Sequence, residues 1–278
     1  MSSMQATGRR PMSWRTGLLY LAAGVITLFM LIPIWLIFVA AFSPQLDVYA
    51  FPKSLVPTHF STDTMSFFLN STGVRPSVKT SVLVGIGALL LSLLLGAPAG
   101  YAVARFSFPG RNVLQLLILA TRSFPVIVLS IPLAVSFLSW GLYDTVRGVA
   151  LVHTAMALPT TVLITSAVFY SVPRDLEEAA LTLGCTPVGA FRRVALPMAL
   201  PGLAAAALLT FILSWNEVFA AAILTTQNRT LPAQVLSTLN DAPLPYKFAG
   251  GFMLIVPSLV FIFIIRRYLV SSWGQVTK

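Results

Sequence analysis

Residues 173–202 read PRDLEEAALTLGCTPVGAFRRVALPMALPG, a charged, helix-forming stretch between two long apolar runs. Asp175 is placed to cap a helix with Glu178 three residues on, a D-x-x-E variant of the capping box. Leu176, Ala179, Ala180 and Leu183 then recur at helical spacing on one face. Gly184 supplies a left-handed stop, and Thr186-Pro187 reads as the cap and first residue of a second short helix. The expectation is a compact helix–turn–helix, too polar to span a bilayer and shaped to be gripped by a partner.

The rest of the chain is of a different kind. Charged residues make up 9% of its 278 residues and hydrophobic ones 57%, with a mean hydropathy of +0.87. Soluble domains carry about 25% charged residues, so this composition implies an all-α polytopic membrane protein. The single cysteine, Cys185, excludes an internal disulfide and any cysteine-rich metal site. Charge-free intervals place six transmembrane helices at about 17–42, 80–104, 112–138, 148–172, 198–222 and 248–266. Each interval except the third, which Arg122 interrupts, approaches or exceeds the roughly 20 residues that cross a hydrocarbon core. They leave an amino-terminal segment 1–16, a membrane domain 17–268 that includes the loop 173–197, and a tail 269–278.

Six spans put both ends on one side. That side carries Arg9, Arg10, Arg15, Arg105, Arg111, Arg174, Arg192, Arg193, Arg266, Arg267 and Lys278. The other carries only Lys53, Arg75, Lys79, Arg147, Arg229 and Lys247. The positive-inside rule therefore assigns both termini and the 173–197 loop to the cytoplasm. The formal charge of +10 is accounted for by topology, so no nucleic-acid partner is expected.

Few ionisable groups fall within the spans, and each has two readings. Arg122 lies near mid-depth, where a charge is costly unless it faces the bundle interior or a watery cavity. Pro125 and Pro132 should break or kink that helix and free carbonyls that an arginine could satisfy. Arg122 is thus a pathway or gate residue, or a plug for a broken helix. Trp215, Asn216 and Glu217 lie deep in the fifth span. Asn216 and Glu217 could hydrogen-bond a polyhydroxylated solute with Trp215 as an aromatic face, or they could tie that helix to its neighbours. His153 reads as a helix-packing hydrogen bonder ahead of a ligand.

The scattered acids show no metal-ligand spacing, and there is no glycine-rich phosphate loop or Walker-type lysine motif. The chain is expected to be non-catalytic, with energy supplied by a partner or an ion gradient. An ion-coupled secondary transporter would show repeat halves and midplane acids. A non-transporting scaffold would use the loop as a generic docking site.

Glu178-Ala179-Ala180, then Gly184, then Val194-x-Leu196-Pro197 resembles the EAA loop of ABC importer permeases. Thr121-Arg122-Ser123-Phe124-Pro125 with Ile131-Pro132, and Trp140 to Thr145, are similar to carbohydrate-importer permeases of the maltose type, second-permease group. So are Ala102 to Gly110, Phe211-x-x-x-Trp215-Asn216-Glu217 and the ending from Arg266. Leu183-Gly184-Cys185 departs from the family's Asp-Gly-Ala, losing an acid beside the turn.

The resemblance implies a type I ABC importer permease fold in a bacterial or archaeal cell membrane. It implies a second homologous permease, two ATPase subunits, an external solute-binding protein and a carbohydrate solute, with lipid around the bundle. No cofactor belongs to this chain, ATP and magnesium being held by the ATPases. Glu177, Glu178, Ala179, Ala180, Gly184, Phe191 and Pro197 carry over as the ATPase-coupling residues. The segment 226–246, stiffened by Pro232, Pro243 and Pro245, is implied to reach the binding protein through Asn228 or Gln234.

Overall fold

The computed structural model describes residues 14–52, 55–57 and 59–273. Most of the expected amino-terminal segment, Lys53 and the end of the tail from Gly274 lie outside the described residues. The described residues form helices and connecting turns without strands.

The elements are α1 (Trp14–Ala41), α2 (Asp63–Asn70), α3 (Val74–Arg105), α4 (Arg111–Thr121), α5 (Val126–Trp140) and α6 (Val146–Ser171). There follow α7 (Arg174–Thr182), α8 (Pro187–Ala190), a π-helical turn (Phe191–Ala195) and α9 (Leu196–Asn216). The chain ends with α10 (Phe219–Leu224), α11 (Leu231–Thr238) and α12 (Leu244–Trp273). Five helical stretches are long and apolar enough to cross a membrane: α1, α3, α6, α8 to α9 as one run, and α12. The α4–α5 pair makes a sixth span if taken together.

Two spans are broken. The third, placed over 112–138 with a break or kink expected from its prolines, is two helices bent by 87°. Pro125 is the cause: it lacks an N–H, and it disfavours helical geometry at Phe124 before it. Pro132 sits inside α5 without ending it. The fifth, expected over 198–222, stops at Asn216 and resumes as α10, because the Glu217 backbone turns extended. At its start the same span runs back unbroken to Pro187. The second and sixth spans begin earlier than expected, at Val74 and Leu244.

The bundle is built on α3, α6 and α9. Small residues set the α3–α6 approach, as is usual where lipid gives no hydrophobic drive between helices. A Cβ on Gly100 would fall 2.1 Å from Thr165 Oγ1 and 2.7 Å from Ser166 N. Thr165 Oγ1 donates to the Gly96 carbonyl at 2.9 Å across the same seam. Helix α12 packs on α9, and α1 on α12, leaving most of α1's apolar side chains facing outward. Trp215 is buried, stacks on Phe211 and donates Nε1–H to the Leu254 carbonyl of α12 at 2.8 Å.

Candidate functional site

The polar loop between α6 and α9 is locally built from its own sequence. Helix α7 starts one residue before Asp175, with extended Pro173 as its N-cap and no side-chain cap bond. The expected Asp175–Glu178 capping box is therefore not formed. Pro173 presets the turn out of α6, and Asp175 and Glu177 sit in the first turn, where carboxylates complement the helix dipole. Gly184 takes φ +89°, and Gly184 N and Cys185 N close the helix on the carbonyls of Leu181 and Ala180, both at 3.0 Å. Thr186 Oγ1 accepts the Gly189 N–H at 3.1 Å, with Pro187 opening α8. The π-helical turn then leads into α9 without a break.

The loop presents one set of side chains and hides another. Leu183 is 86% exposed and Leu176 and Val188 are exposed too, as are Glu178, Ala179 and Pro197. Ala180 turns inward. Glu177, grouped by resemblance with the ATPase contacts, is only 7% exposed. Arg105, at the end of α3, donates to Glu177 Oε1 through Nε at 2.8 Å and through Nη2 at 2.5 Å. Tyr101 Oη donates to Oε2 at 2.6 Å. The Glu177 carboxylate is thus turned to the bundle, with little surface left on the open side of the loop. Phe191 also points inward, its ring 4.6 Å from Tyr101 and 5.9 Å from Phe169.

Arg122 sits at the C-terminal end of α4, in the break before α5. It borders a cavity of about 270 Å³ with Ala157 and Thr160 of α6 and Leu209, Thr210, Ile212 and Leu213 of α9. Thr160 Oγ1 has no hydrogen-bond partner among the described residues. Among the described residues the Arg122 guanidinium makes no hydrogen bond to a helix carbonyl, and Ile118, Leu119 and Ala120 are served by Thr121 Oγ1 at 2.7 Å, Arg122 N at 3.1 Å and Ser123 N at 3.0 Å. The charged side chain stands beside the cavity.

Glu217 does not face that cavity. It is buried, accepts the N–H groups of Ala220 at 2.8 Å and Ala221 at 3.0 Å, and so caps α10. Fully buried His153 bridges Glu217 at 3.2 Å and Ser214 at 2.8 Å, joining α6 to α9. Trp215 offers no free aromatic face, and Asn216 is exposed with Nδ2 on its own helix's Ile212 carbonyl at 2.9 Å. Of the proposed pathway trio, Arg122 alone lines the cavity.

At the opposite end of the bundle the segment after α10 is pinned rather than free. Asp144 accepts backbone N–H groups from Thr226 at 2.9 Å, Gln227 at 3.0 Å and Asn228 at 2.9 Å, and the Thr226 hydroxyl at 3.1 Å. Partial burial opposes ionisation, but these bonds outweigh it and hold the Asp144 carboxyl below its ordinary value. Asn228 remains exposed. Gln234, on half-buried α11, turns its side chain to the Thr72 carbonyl at 3.3 Å and lies against Gly73.

Sequence reasoning missed Asp144, Tyr101 and Arg105 as anchors. A usable signal existed. In a chain with eight acidic residues, a buried acid needs a named base. Glu177 and Arg105 both stand at span ends expected on the same side.

Comparison with known proteins places this geometry. Residues 92–272 match the family model described as "Binding-protein-dependent transport system inner membrane component". The chain is 34% identical over 248 residues to the trehalose transport system permease protein SugB of Mycobacterium tuberculosis, covering 87% of this chain and 90% of that protein. It is 32% identical over 253 residues to the diacetylchitobiose uptake system permease protein NgcG of Streptomyces coelicolor, covering 89% and 83%. In structure it resembles a chain of a bacterial ABC transporter that imports the acidic polysaccharide alginate. The TM-score is 0.74, at 22% identity, over 95% of this chain and 100% of that one.

Proposed function

The chain belongs to the family of binding-protein-dependent transport system inner membrane components, and from that premise we propose that it is a pathway-forming permease subunit of an ATP-driven carbohydrate importer. The observation that supports this most directly is the loop of α7, α8 and the π-helical turn. It is a preorganised, partly apolar surface on a membrane protein, locked to the transmembrane bundle behind and open in front. A cytoplasmic ATPase is the partner such a surface fits. Leu176, Leu183 and Val188 supply apolar contact, Glu178 a charge, and Ala179 room for close approach.

In this reading a second, homologous permease completes the pathway, two ATPase subunits hold ATP and magnesium, and an external binding protein delivers the solute. Both termini and the loop face the cytoplasm, and the Asp144-pinned segment with exposed Asn228 faces the binding protein. The carbohydrate class is supported by the trehalose and diacetylchitobiose permeases that the chain resembles. In the same reading, Arg122 and the cavity it borders are part of the solute's path. The test is to purify the chain from its own cells under mild conditions. An ATPase subunit and a second permease should come with it in fixed ratio, and the complex in proteoliposomes should take up a disaccharide only with binding protein and ATP. Uptake without ATP, or a chain that isolates alone, would overturn the reading.

A further inference from the structure

Glu177 is a carboxylate taken out of water at the seam between the loop and the bundle, bonded to the bundle rather than turned to the loop's open side. We infer that Tyr101, Arg105 and Glu177 form the link through which displacement of α7 is delivered to α3. Glu177 is then a positioning residue for transport; the inference rests on reading the loop as the ATPase contact.

The connections of α7 support this assignment. Its backbone packs mainly against α8 and the π-helical turn, both parts of its own loop. Its ties to α3 are made by side chains. Arg105 forks onto Glu177 and also donates Nη2–H to the Val172 carbonyl at 2.8 Å, just before α7. Arg174, in the first turn of α7, reaches back to the Ala104 carbonyl at 3.2 Å. Each helix therefore holds the other at its end, and Glu177 is the buried point where the bonds from Arg105 and Tyr101 converge.

A buried ion pair is weak evidence of stability, because an apolar pair of similar size often packs as well. Charge-assisted bonds add fixed distance and orientation, which an apolar contact that slides does not. Those are the properties that force transmission needs. Tyr101 spreads the connection further: its ring lies 5.3 Å from Phe169 of α6 and 4.6 Å from Phe191 of the π-helical turn. Beyond Tyr101, the glycine-lined seam packs α3 closely against α6. Adjacent glutamates thus have opposite assignments, Glu178 outward to the partner and Glu177 inward to the bundle.

The experiment compares the assembled complex carrying wild-type chain, Glu177→Gln, Arg105→Glu, and the exchanged pair Arg105→Glu/Glu177→Arg. Three quantities are read: ATPase subunit retained on purification, ATP hydrolysed with binding protein, and disaccharide taken up. In Glu177→Gln the amount of disaccharide moved per ATP should fall about tenfold, a typical size for a coupling term, while the ATPase stays bound. The exchanged pair should recover most of that ratio, and Arg105→Glu alone should not. The link is overturned if uptake and ATPase retention fall together, if Glu177→Gln leaves the ratio unchanged, or if the exchanged pair is no better than the single variants. A wild-type chain that retains no ATPase would instead overturn the reading of the loop itself, and this inference with it.

Discussion

At Glu177 and Glu178 two neighbouring residues of the same chemistry end in opposite surroundings, one buried on Arg105 and one exposed. Helical spacing alone assigns Leu176, Ala179, Ala180 and Leu183 to one face. It does not say which flank of that face meets the bundle, because the deciding partner, Arg105, is 72 residues away in sequence. Glu178→Lys should reduce ATPase retention on purification without lowering the amount of chain in the membrane, since nothing in the fold depends on that side chain. Gly184 is a position legible in sequence, and its φ of +89° explains the residue type. A β-branched replacement there should cost about 1–2 kcal/mol through Cβ–carbonyl crowding and distort the turn, read as weaker ATPase retention. Asp144 was not legible as an anchor, since its partners are the backbone N–H groups of a segment more than 80 residues on. Its carboxyl is held below the ordinary value, so the stabilisation it gives is complete at neutral pH. That stabilisation is lost only as pH falls below the unfolded carboxyl's range and through the lower folded value. Asp144→Asn should remove it at all pH values. The stability of the purified chain should drop at pH 7 by about 1 kcal/mol, since bonds to a charged acceptor are weakened by solvent at a partly exposed carboxylate. This is read as a lower thermal midpoint, and the gap to wild type should close only in strong acid.

The breaks in the spans show how far element-level reading goes. Hydropathy located every apolar run, yet it drew α4–α5 as one helix and carried the fifth span through Glu217. Pro125 was visible as a helix breaker, but the 87° angle comes from where α5 packs, on α10 and beside α6, which no local rule supplies. At Glu217 the backbone leaves the helix and the carboxylate takes the Ala220 and Ala221 N–H groups of the next one, so those two donors stay paired across the break. Backbone breaks at membrane depth are tolerated where they are buried or line a cavity, and the two sites divide along that line. Glu217 is buried, and Arg122 borders the cavity. Pro125→Ala restores an N–H and should let α4 continue toward α5, closing the cavity. Reduced uptake with normal membrane levels is expected, and unchanged uptake would mean the bend has no part in transport. At the α3–α6 seam the cost is steric instead. Gly100→Val has no room beside Thr165 and should destabilise by about 1–3 kcal/mol, as overpacked cores do, read as a lower thermal midpoint.

For the whole molecule, the arrangement of charge and the arrangement of helices make one statement about direction. The loop lies at the end of the bundle where α3 and α6 finish, with Arg105, Arg174, Arg192 and Arg193 around it. The Asp144 pin and α11 lie at the end where α6 begins. If the basic end is cytoplasmic, the positive-inside rule, the docking surface and the pinned outer segment agree; if it is external, all three fail together. The chain carries its own reporter for this choice, because its single cysteine, Cys185, lies in the turn between α7 and α8 and is partly exposed. A membrane-impermeant maleimide should leave Cys185 unmodified in intact cells and label it in inside-out vesicles stripped of the ATPase. Adding the ATPase back should protect it, because the covered surface includes Leu183 and Val188 on either side of that thiol. Labelling of Cys185 in intact cells would reverse the orientation, and with it the assignment of the loop to a cytoplasmic partner.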